Sequence, residues 1–213
     1  FQRHLASRFN AKVKRCLDLV LSVPLVLLSL PVLALAALVI QFVDRGPVFY
    51  RQARVGRDGR PIQLLKLRTM YQDNEMMLLK HLAESPEKAS EWRSRFKLRK
   101  DPRILPVVGR WLRRFSLDEL PQLLQVVRGE MSLVGPRPFP VYHMESFPKE
   151  FREFRQTVLP GLTGLWQVSA RSDGDLQIQQ SLDTYYIRNW SLWLDLHILV
   201  HTARAVLFGK GAY

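Results

Sequence analysis

The hydrophobic pattern of the chain is dominated by one uncharged run near its start. Residues 19–43 are mostly Leu, Val and Ala and contain no charged side chain. About 20 apolar residues let a helix cross a bilayer, so the length of this run permits a membrane span. Pro24 and Pro31 lie seven residues apart, on nearly the same helical face, and each removes a backbone hydrogen bond.

The flanks of this run carry a second signal. Basic residues stand on both sides of it, and positive charge favours the cytoplasmic side of a membrane. Two geometries fit this pattern: a bent hairpin that enters one leaflet and returns, and a single straight crossing. Residues 1–15 are basic, with Leu5, Phe9 and Val13 at helical spacing, which predicts an amphipathic helix on a membrane surface. A solvated basic lead-in has the same composition.

Two short strand-like segments follow the apolar run and predict a small β-hairpin. Residues 48–50 and 62–67 are short strand-like segments, and Asp58 with Gly59 between them is typical of a tight turn. Lys66 and Arg68 lie near the end of the second strand. The alternative for these two is a pair of exposed basic residues on an edge strand.

Helical patterns account for much of the remaining chain. Residues 71–100 are highly charged and interrupted at Pro86, and residues 175–188 and 190–207 predict two further helices. Trp92 and Phe96 lie among basic residues, which suits a helix on anionic headgroups or a nucleic-acid surface. Residues 140–156 predict a helix that faces either the membrane or the core, because Phe147 and Phe151 share one face.

Two adjacent acidic residues in the middle of the chain are the first candidates for a functional site. Ser116 and Glu119 have the spacing of a capping box, which predicts that a helix begins at Ser116 and ends near Gly129. Asp118 would then lie in the first turn, where backbone N–H groups attract anions. Acids at this position commonly do no more than cap a helix. Further on, Arg137 stands between two prolines that fix its backbone, which suits a phosphate ligand.

The amino-acid composition narrows the classes of molecule that this protein could bind. The 213 residues carry a formal net charge of +13, which favours an anionic partner: nucleic acid, anionic lipid or a phosphorylated substrate. Cys16 is the only cysteine, which excludes an internal disulfide and a thiolate metal cluster. His197 and His201 have a spacing that allows a metal pair, although an interfacial helix is the simpler interpretation. Position 1 is Phe, so a longer protein with an upstream domain is compatible with this sequence.

Several segments in order resemble the bacterial sugar transferase family, and within it the monotopic phosphoglycosyl transferases. The resemblance runs from about Lys14 to Tyr213. Its segments are Ser116-Leu-Asp118-Glu119-Leu-Pro121-Gln122, Gly129-Glu-Met-Ser-Leu-Val-Gly135-Pro-Arg137-Pro138, Lys66-Leu-Arg68-Thr-Met70, Pro160-Gly161-Leu-Thr163-Gly164-Leu-Trp166-Gln167-Val-Ser-Ala-Arg171 and Asp183-Thr-Tyr-Tyr186.

The resemblance implies an architecture and a location. It implies an α+β, mainly α, monotopic membrane protein with a proline-broken re-entrant helix, amphipathic surface helices and a small β-hairpin. Pro24 and Pro31 would break the membrane helix. Residues 1–43 would form the amphipathic lead-in and re-entrant membrane hairpin, and residues 44–213 the catalytic domain with interfacial helices. The expected location is the bacterial inner membrane, with the active site on the cytoplasmic face.

The resemblance also implies a reaction. The protein would transfer a hexose-1-phosphate from a UDP-sugar to undecaprenyl phosphate and release UMP, as the first membrane step of surface polysaccharide assembly. Asp118 would be the covalent nucleophile and the protein ligand of Mg²⁺, and Glu119 would manage a proton or orient the site. The expected partners are UDP-galactose or UDP-glucose, undecaprenyl phosphate and an anionic phospholipid membrane. A homodimer stays open, and no nucleic acid is expected.

The resemblance implies roles for further residues. The expected phosphate-binding residues are Arg113, Arg137, Lys66 and Arg171, and secondary site positions are Asp183, Arg68 and Gln167. Asp183 would hold a metal, orient a basic group or be structural. Two other function classes stay open on the residues alone: a basic membrane-associated nucleic-acid binder, and a membrane-anchored scaffold in which Asp118 and Glu119 only cap.

Overall fold

The computed structural model describes residues 8–95, 98, 101–169 and 176–207. The fold is mainly helical, with a two-stranded antiparallel sheet and a short parallel strand pair. The helices are α1 (Arg8–Val43), α2 (Asn74–Ala83), α3 (Pro86–Arg95), α4 (Val108–Arg114), α5 (Leu123–Arg128), α6 (Val141–Glu145), α7 (Lys149–Arg155), α8 (Leu165–Ser169), α9 (Leu176–Arg188) and α10 (Leu192–Leu207). The strands are β1 (Phe49–Val55), β2 (Pro61–Leu67), β3 (Ser132–Val134) and β4 (Gly161–Thr163).

Helix α1 joins residues 8–15 of the predicted lead-in to the apolar run in one element of 36 residues, and residues 1–7 lie outside the described residues. It contains both Pro24 and Pro31, and Ser29 Oγ donates a hydrogen bond to the carbonyl of Val26 at 2.7 Å. Within the described part of the chain, one helix is long and apolar enough to cross a membrane, judged by length and composition alone. The re-entrant geometry stays a prediction.

Both ends of α1 pack against the rest of the protein. Near its start, Lys14 donates to the buried carboxylate of Asp195 on α10 at 2.6 Å, and Asp18 is buried as well. Near its end, Ala36 and Ile40 are buried in an apolar cluster with residues of β2 and α4. The side of α1 away from these contacts exposes large apolar side chains, among them Leu27, Leu28, Leu35 and Leu38. The helix therefore lies along the domain while presenting an apolar surface to its surroundings.

The predicted β-hairpin is confirmed. Strands β1 and β2 pair antiparallel from Phe49 opposite Leu67 to Val55 opposite Pro61. In the turn, Arg60 N–H donates to the carbonyl of Arg57 at 3.1 Å, and Asp58 and Gly59 both have positive φ. An Asp-Gly pair tolerates this conformation better than most residues, which explains why the turn forms at this point.

Residues 140–156 are predicted to form a helix that faces either the membrane or the core, and their burial decides between the two. Phe147 and Phe151 are buried with Phe139 and Met144, so their face points into the protein rather than toward a membrane. The pattern forms two short helices, α6 and α7, instead of one. Pro86 begins α3, as its interruption of the helical pattern predicts.

Candidate active site

The acidic pair lies on a 3₁₀ helix, Leu117–Gln122, that leads directly into α5. The predicted capping box is wrong, because Ser116 has φ 53° and its side chain makes no capping hydrogen bond. Glu119 donates its backbone N–H to the Ser116 carbonyl, while its carboxylate binds two cations from other segments. Such charge-assisted bonds are stronger than one bond to a backbone N–H. The predicted end at Gly129 is confirmed, with φ 80°.

Glu119 is a bridge between two cations. Its Oε1 accepts one hydrogen bond from Lys66 Nζ at 2.6 Å and another from Arg137 Nη2 at 3.0 Å. Burial alone would raise the pKa of Glu119, but Arg137 and Lys66 outweigh it and lower the pKa to about 2. Glu119 is therefore ionised at neutral pH and holds both cations in fixed positions.

Asp118, its neighbour, has the opposite environment. Burial raises the pKa of Asp118 to about 6, the negative charge of Glu119 adds to this rise, and Lys66 and Arg113 only partly offset it. Among the residues that the structure describes, Asp118 forms no ion pair. Adjacent titratable groups with pKa values pushed far apart commonly divide catalytic roles. Glu119 is the carboxylate bound by cations, and Asp118 is the one without an ion pair in the described part of the chain.

Arg113 lies in the last turn of α4, close enough to Asp118 for the two charges to interact. Its Nε donates to Thr69 Oγ1 at 2.9 Å, which ties α4 to the segment after β2. Burial lowers the pKa of Arg113, and the nearby carboxylates of Asp118 and Asp101 act in the opposite direction. A guanidinium with few carboxylate partners and a fixed Nε keeps its Nη groups for an anion.

Arg137 is fixed through its backbone as well as its side chain. Pro136 and Pro138 beside it are buried, and its carbonyl accepts a hydrogen bond from Arg155. Arg155 Nε in turn donates to Asp183 Oδ2 at 2.7 Å, and both of these side chains are almost fully buried. Of the roles considered for Asp183, the structure has it bound to a basic group. Asp183 therefore acts on the site through Arg155 and the Arg137 backbone.

The loops around the site are joined by a close contact between glycines. Strands β3 and β4 pair in parallel, and beyond them Gly135 N–H donates to the Thr163 carbonyl at 2.8 Å. Gly161 N–H donates to the Pro136 carbonyl at 2.9 Å. A Cβ on Gly161 would lie 2.1 Å from Gly135 N, closer than any real contact. The absence of a side chain at Gly161 thus lets the two loops meet and sets the position of Arg137.

We expect Gly161→Ala to lower both stability and activity, because the added methyl group must push the Arg137 loop away. Gly129→Ala is the matched control: its positive φ also penalises alanine, by about 1–2 kcal/mol, but it lies at the end of α5. Thermal unfolding and activity per folded molecule measure the difference. Equal activity per folded molecule in both variants would show that the glycine contact does not position Arg137.

The other expected site residues are either bound to neighbouring segments or lie outside the described residues. Arg68 is buried and bound to Asp44, to which its Nη1 donates at 2.7 Å, so it ties the end of α1 to the end of β2. Gln167 lies on α8, where its Nε2 donates to the Leu162 carbonyl at 3.2 Å. Arg171 lies outside the described residues. Trp92 packs against the Arg103 guanidinium, 4.9 Å from its ring centre, and Phe96 is outside the described residues.

One cation near the site was missed by sequence reasoning. Arg54 on β1 is half-buried, and burial and then the charge of Arg137 lower its pKa. The strand register carried the available signal, because Arg54 opposes Ile62 and therefore shares a sheet face with Lys66.

A metal ion would have few protein ligands here. Within the described ranges, no group of three or more His, Cys, Asp or Glu side chains is arranged to hold one. The rings of His197 and His201 lie 4.4 Å apart, yet this pair lacks a third ligand in the described part of the chain. At the acidic pair, Glu119 binds two cations, and Asp118 has no ion pair with any residue that the structure describes. That donor set suits Mg²⁺, which is commonly held by one or two carboxylates together with substrate phosphates.

Comparison with known proteins gives a consistent result. The family described as bacterial sugar transferase matches residues 9–209. The chain is 41% identical over 212 residues to an undecaprenyl-phosphate galactose phosphotransferase of Salmonella typhimurium, covering all of this chain and 44% of that protein. It is 40% identical over 200 residues to the exopolysaccharide production protein ExoY of Sinorhizobium fredii, covering 94% of this chain and 88% of that protein. It is 42% identical over 207 residues to a UDP-glucose:undecaprenyl-phosphate glucose-1-phosphate transferase of Caulobacter vibrioides, covering 94% of this chain and 72% of that protein.

Proposed function

The chain belongs to the bacterial sugar transferase family, and on that premise we propose that it transfers a hexose-1-phosphate from a UDP-sugar to undecaprenyl phosphate and releases UMP. The observation that supports this most is the divided acidic pair: Glu119 is held by Lys66 and Arg137, while Asp118 is unpaired among the described residues with a pKa of about 6. The relatives from Salmonella typhimurium and Caulobacter vibrioides are named for transfer of galactose or glucose phosphate to undecaprenyl phosphate, which favours these substrates.

The reaction would proceed in two displacements at one phosphorus atom. The Asp118 carboxylate attacks the β-phosphorus of the UDP-sugar, the bond from that phosphorus to the bridging oxygen breaks, and UMP leaves with the electron pair. The sugar phosphate is then bound covalently to Asp118. A phosphate oxygen of undecaprenyl phosphate attacks the same phosphorus, and Asp118 leaves as a carboxylate. Carboxylates are known nucleophiles of this kind, and the scheme is ping-pong.

Fixed positive charge makes this attack possible, because an anion must approach an anionic phosphate. Lys66 and Arg137 are already held by Glu119, and the positive charge of Arg113 acts on Asp118. Mg²⁺ held by Asp118 and the donor phosphates would neutralise further charge on the phosphate oxygens. Since the pKa of Glu119 is about 2, this side chain is ionised at neutral pH, and it binds both Lys66 and Arg137. We therefore assign it the orienting role and not the proton-managing one.

A panel of UDP-sugars tests the reaction. The purified protein in lipid nanodiscs, with Mg²⁺ and undecaprenyl phosphate, should release UMP from UDP-galactose or UDP-glucose, and chelation with EDTA should stop the release. Absence of UMP from every UDP-sugar would refute the transferase proposal. Salt-sensitive nucleic-acid binding in the same preparation would then support the nucleic-acid alternative.

The pH dependence follows from the raised pKa of Asp118. Below a pH of about 6 the carboxylate is increasingly protonated in the free enzyme, and a protonated nucleophile cannot attack. We expect kcat/KM for UMP release to rise about tenfold per pH unit below pH 6 and to level off above it. Glu119 adds no transition in this range, because its pKa is about 2. A flat profile from pH 4.5 to pH 8 would contradict the assignment of Asp118.

The membrane arrangement that we propose is the re-entrant one. Contacts at both ends of α1 support it, because Lys14 and Ile40 pack against the same domain. A straight crossing would take one of these contacts through the bilayer to its other side. Pro31 in the middle of the apolar run would allow the helix to bend within one leaflet. Exposed Trp111 and Trp193 suit an interface with the cytoplasmic leaflet of the inner membrane.

Labelling decides between the two membrane geometries. In a Cys16→Ser background, we place single cysteines by Ala11→Cys and Arg45→Cys, which are exposed positions near the two ends of α1. A membrane-impermeant maleimide should label neither position in intact spheroplasts and both in inverted vesicles. Labelling of one position in spheroplasts and the other in inverted vesicles would establish a straight crossing instead.

A further inference from the structure

One face of the β-hairpin carries two cations toward the site. Residues that oppose one another in an antiparallel pair share a face, and the pairs here are Tyr50 with Lys66, Gln52 with Leu64, and Arg54 with Ile62. On this face, Leu64 is buried in the main core and Lys66 binds Glu119. Arg54 therefore projects from the same side of the sheet as the lysine of the candidate site.

The Arg54 side chain leans back along the strand. Its Nη2 donates to the Gln52 side-chain oxygen at 2.5 Å, and Gln52 lies one pair closer to Lys66. The next residue, Val55, donates its backbone N–H to the Phe139 carbonyl at 2.9 Å. Phe139 is two residues beyond Arg137, so this bond fixes β1 against the loop that carries Arg137. The Arg54 guanidinium is also close enough to Arg137 for the two positive charges to interact.

The charges around Arg54 are unbalanced. Glu119 binds Lys66 and Arg137, but the side-chain partner of Arg54 is the neutral amide of Gln52. Its Nε is buried and has no hydrogen-bond partner in the part of the chain that the structure describes. Burial and then the charge of Arg137 lower the pKa of Arg54, and the negative charge of Glu119 only partly offsets them. A half-buried cation of this kind can take the charge of a ligand anion as its counter-charge.

We propose that Arg54 is a further phosphate-binding residue, which takes a phosphate oxyanion of one of the substrates together with Arg137. Two guanidinium groups side by side suit an oxyanion, since each presents paired N–H donors to its oxygens. The phosphate source is either the nucleoside diphosphate of the donor or the lipid phosphate of the acceptor. This inference depends on the proposed transferase function only for the names of those two ligands.

Arg54→Gln tests the proposal by equilibrium binding without turnover. Dissociation constants are measured for UDP and for undecaprenyl phosphate, with the full chain in nanodiscs. Loss of charge-assisted hydrogen bonds should weaken at least one of them about tenfold or more. Weaker UDP binding assigns Arg54 to the donor, and weaker undecaprenyl phosphate binding assigns it to the acceptor. Unchanged affinity for both would overturn the proposal.

Arg51→Gln is the matched control, because Arg51 is on the same strand, exposed, and on the opposite face. It removes the same charge, so an equal loss in both variants would show a general electrostatic effect and also overturn the proposal. Arg54→Lys keeps the positive charge but loses the paired N–H donors of the guanidinium. It should weaken binding of the same ligand by a smaller factor. This variant replaces Arg54→Gln in the test if the glutamine variant does not fold. A protein that releases no UMP from any UDP-sugar would refute the transferase function, while these binding measurements would still decide the role of Arg54.

Discussion

Replacing Asp118 by asparagine should reduce UMP release at least about a thousandfold and abolish the covalent sugar-phosphate adduct. The expected size follows from removing the nucleophile of a covalent route. Intact-protein mass spectrometry after incubation with UDP-galactose or UDP-glucose measures the adduct. Asp58→Asn is the matched control, since Asp58 is exposed in the hairpin turn and asparagine tolerates its positive φ.

The stability of the Asp118→Asn variant separates catalysis from capping. The folded-state pKa of Asp118 is raised above its ordinary value, so folding favours its protonated form, and the ionised form costs stability at neutral pH. Asparagine resembles the protonated form, and we expect an unfolding temperature equal to or higher than that of the parent. If Asp118 only capped the helix, the variant would lose about 1 kcal/mol and keep its chemistry. Turnover near the parent level would contradict the nucleophile assignment.

The largest loss of stability should come from Asp183→Asn. Asp183 and Arg155 are both almost fully buried, and the 2.7 Å bond between them gives each charge its partner. Removal of the carboxylate would leave the Arg155 guanidinium buried without its counter-charge. The expected cost is about 3–5 kcal/mol. Since Arg155 also binds the Arg137 carbonyl, UMP release per folded molecule should fall as well.

Glu153→Gln is the control for that change. Glu153 is on α7, as Arg155 is, and pairs with Lys149 at 3.8 Å, but both of these side chains are largely exposed. An exposed pair of this kind contributes at most about 1 kcal/mol, and the variant should behave like the parent. Thermal unfolding in nanodiscs compares the two variants. Similar, small shifts in both would show that the Asp183–Arg155 pair does not hold the Arg137 loop.

Several features of the fold could be predicted from local sequence because their causes are local. The β-hairpin follows from two short strand-like runs and an Asp-Gly turn, and the long apolar helix from an uncharged run. The family resemblance, which rested on motif residues in order, is confirmed by the match over residues 9–209. The capping box was wrong because the spacing of Ser116 and Glu119 cannot reveal distant cations that compete for the same carboxylate.

The candidate site shows the same division. Its residue types are written in the sequence: two adjacent acids, an arginine between prolines and a basic residue at the end of a strand. The sequence alone determined these residues and their order along the chain. Tertiary structure decided which acid is free, because the partners of Glu119 come from positions 53 and 18 residues away. Ionisation depends on burial and on charges from distant segments, and neither is fixed until the chain has folded. For the same reason, only the folded structure brings Arg54 beside Arg137 and binds Asp183 to Arg155.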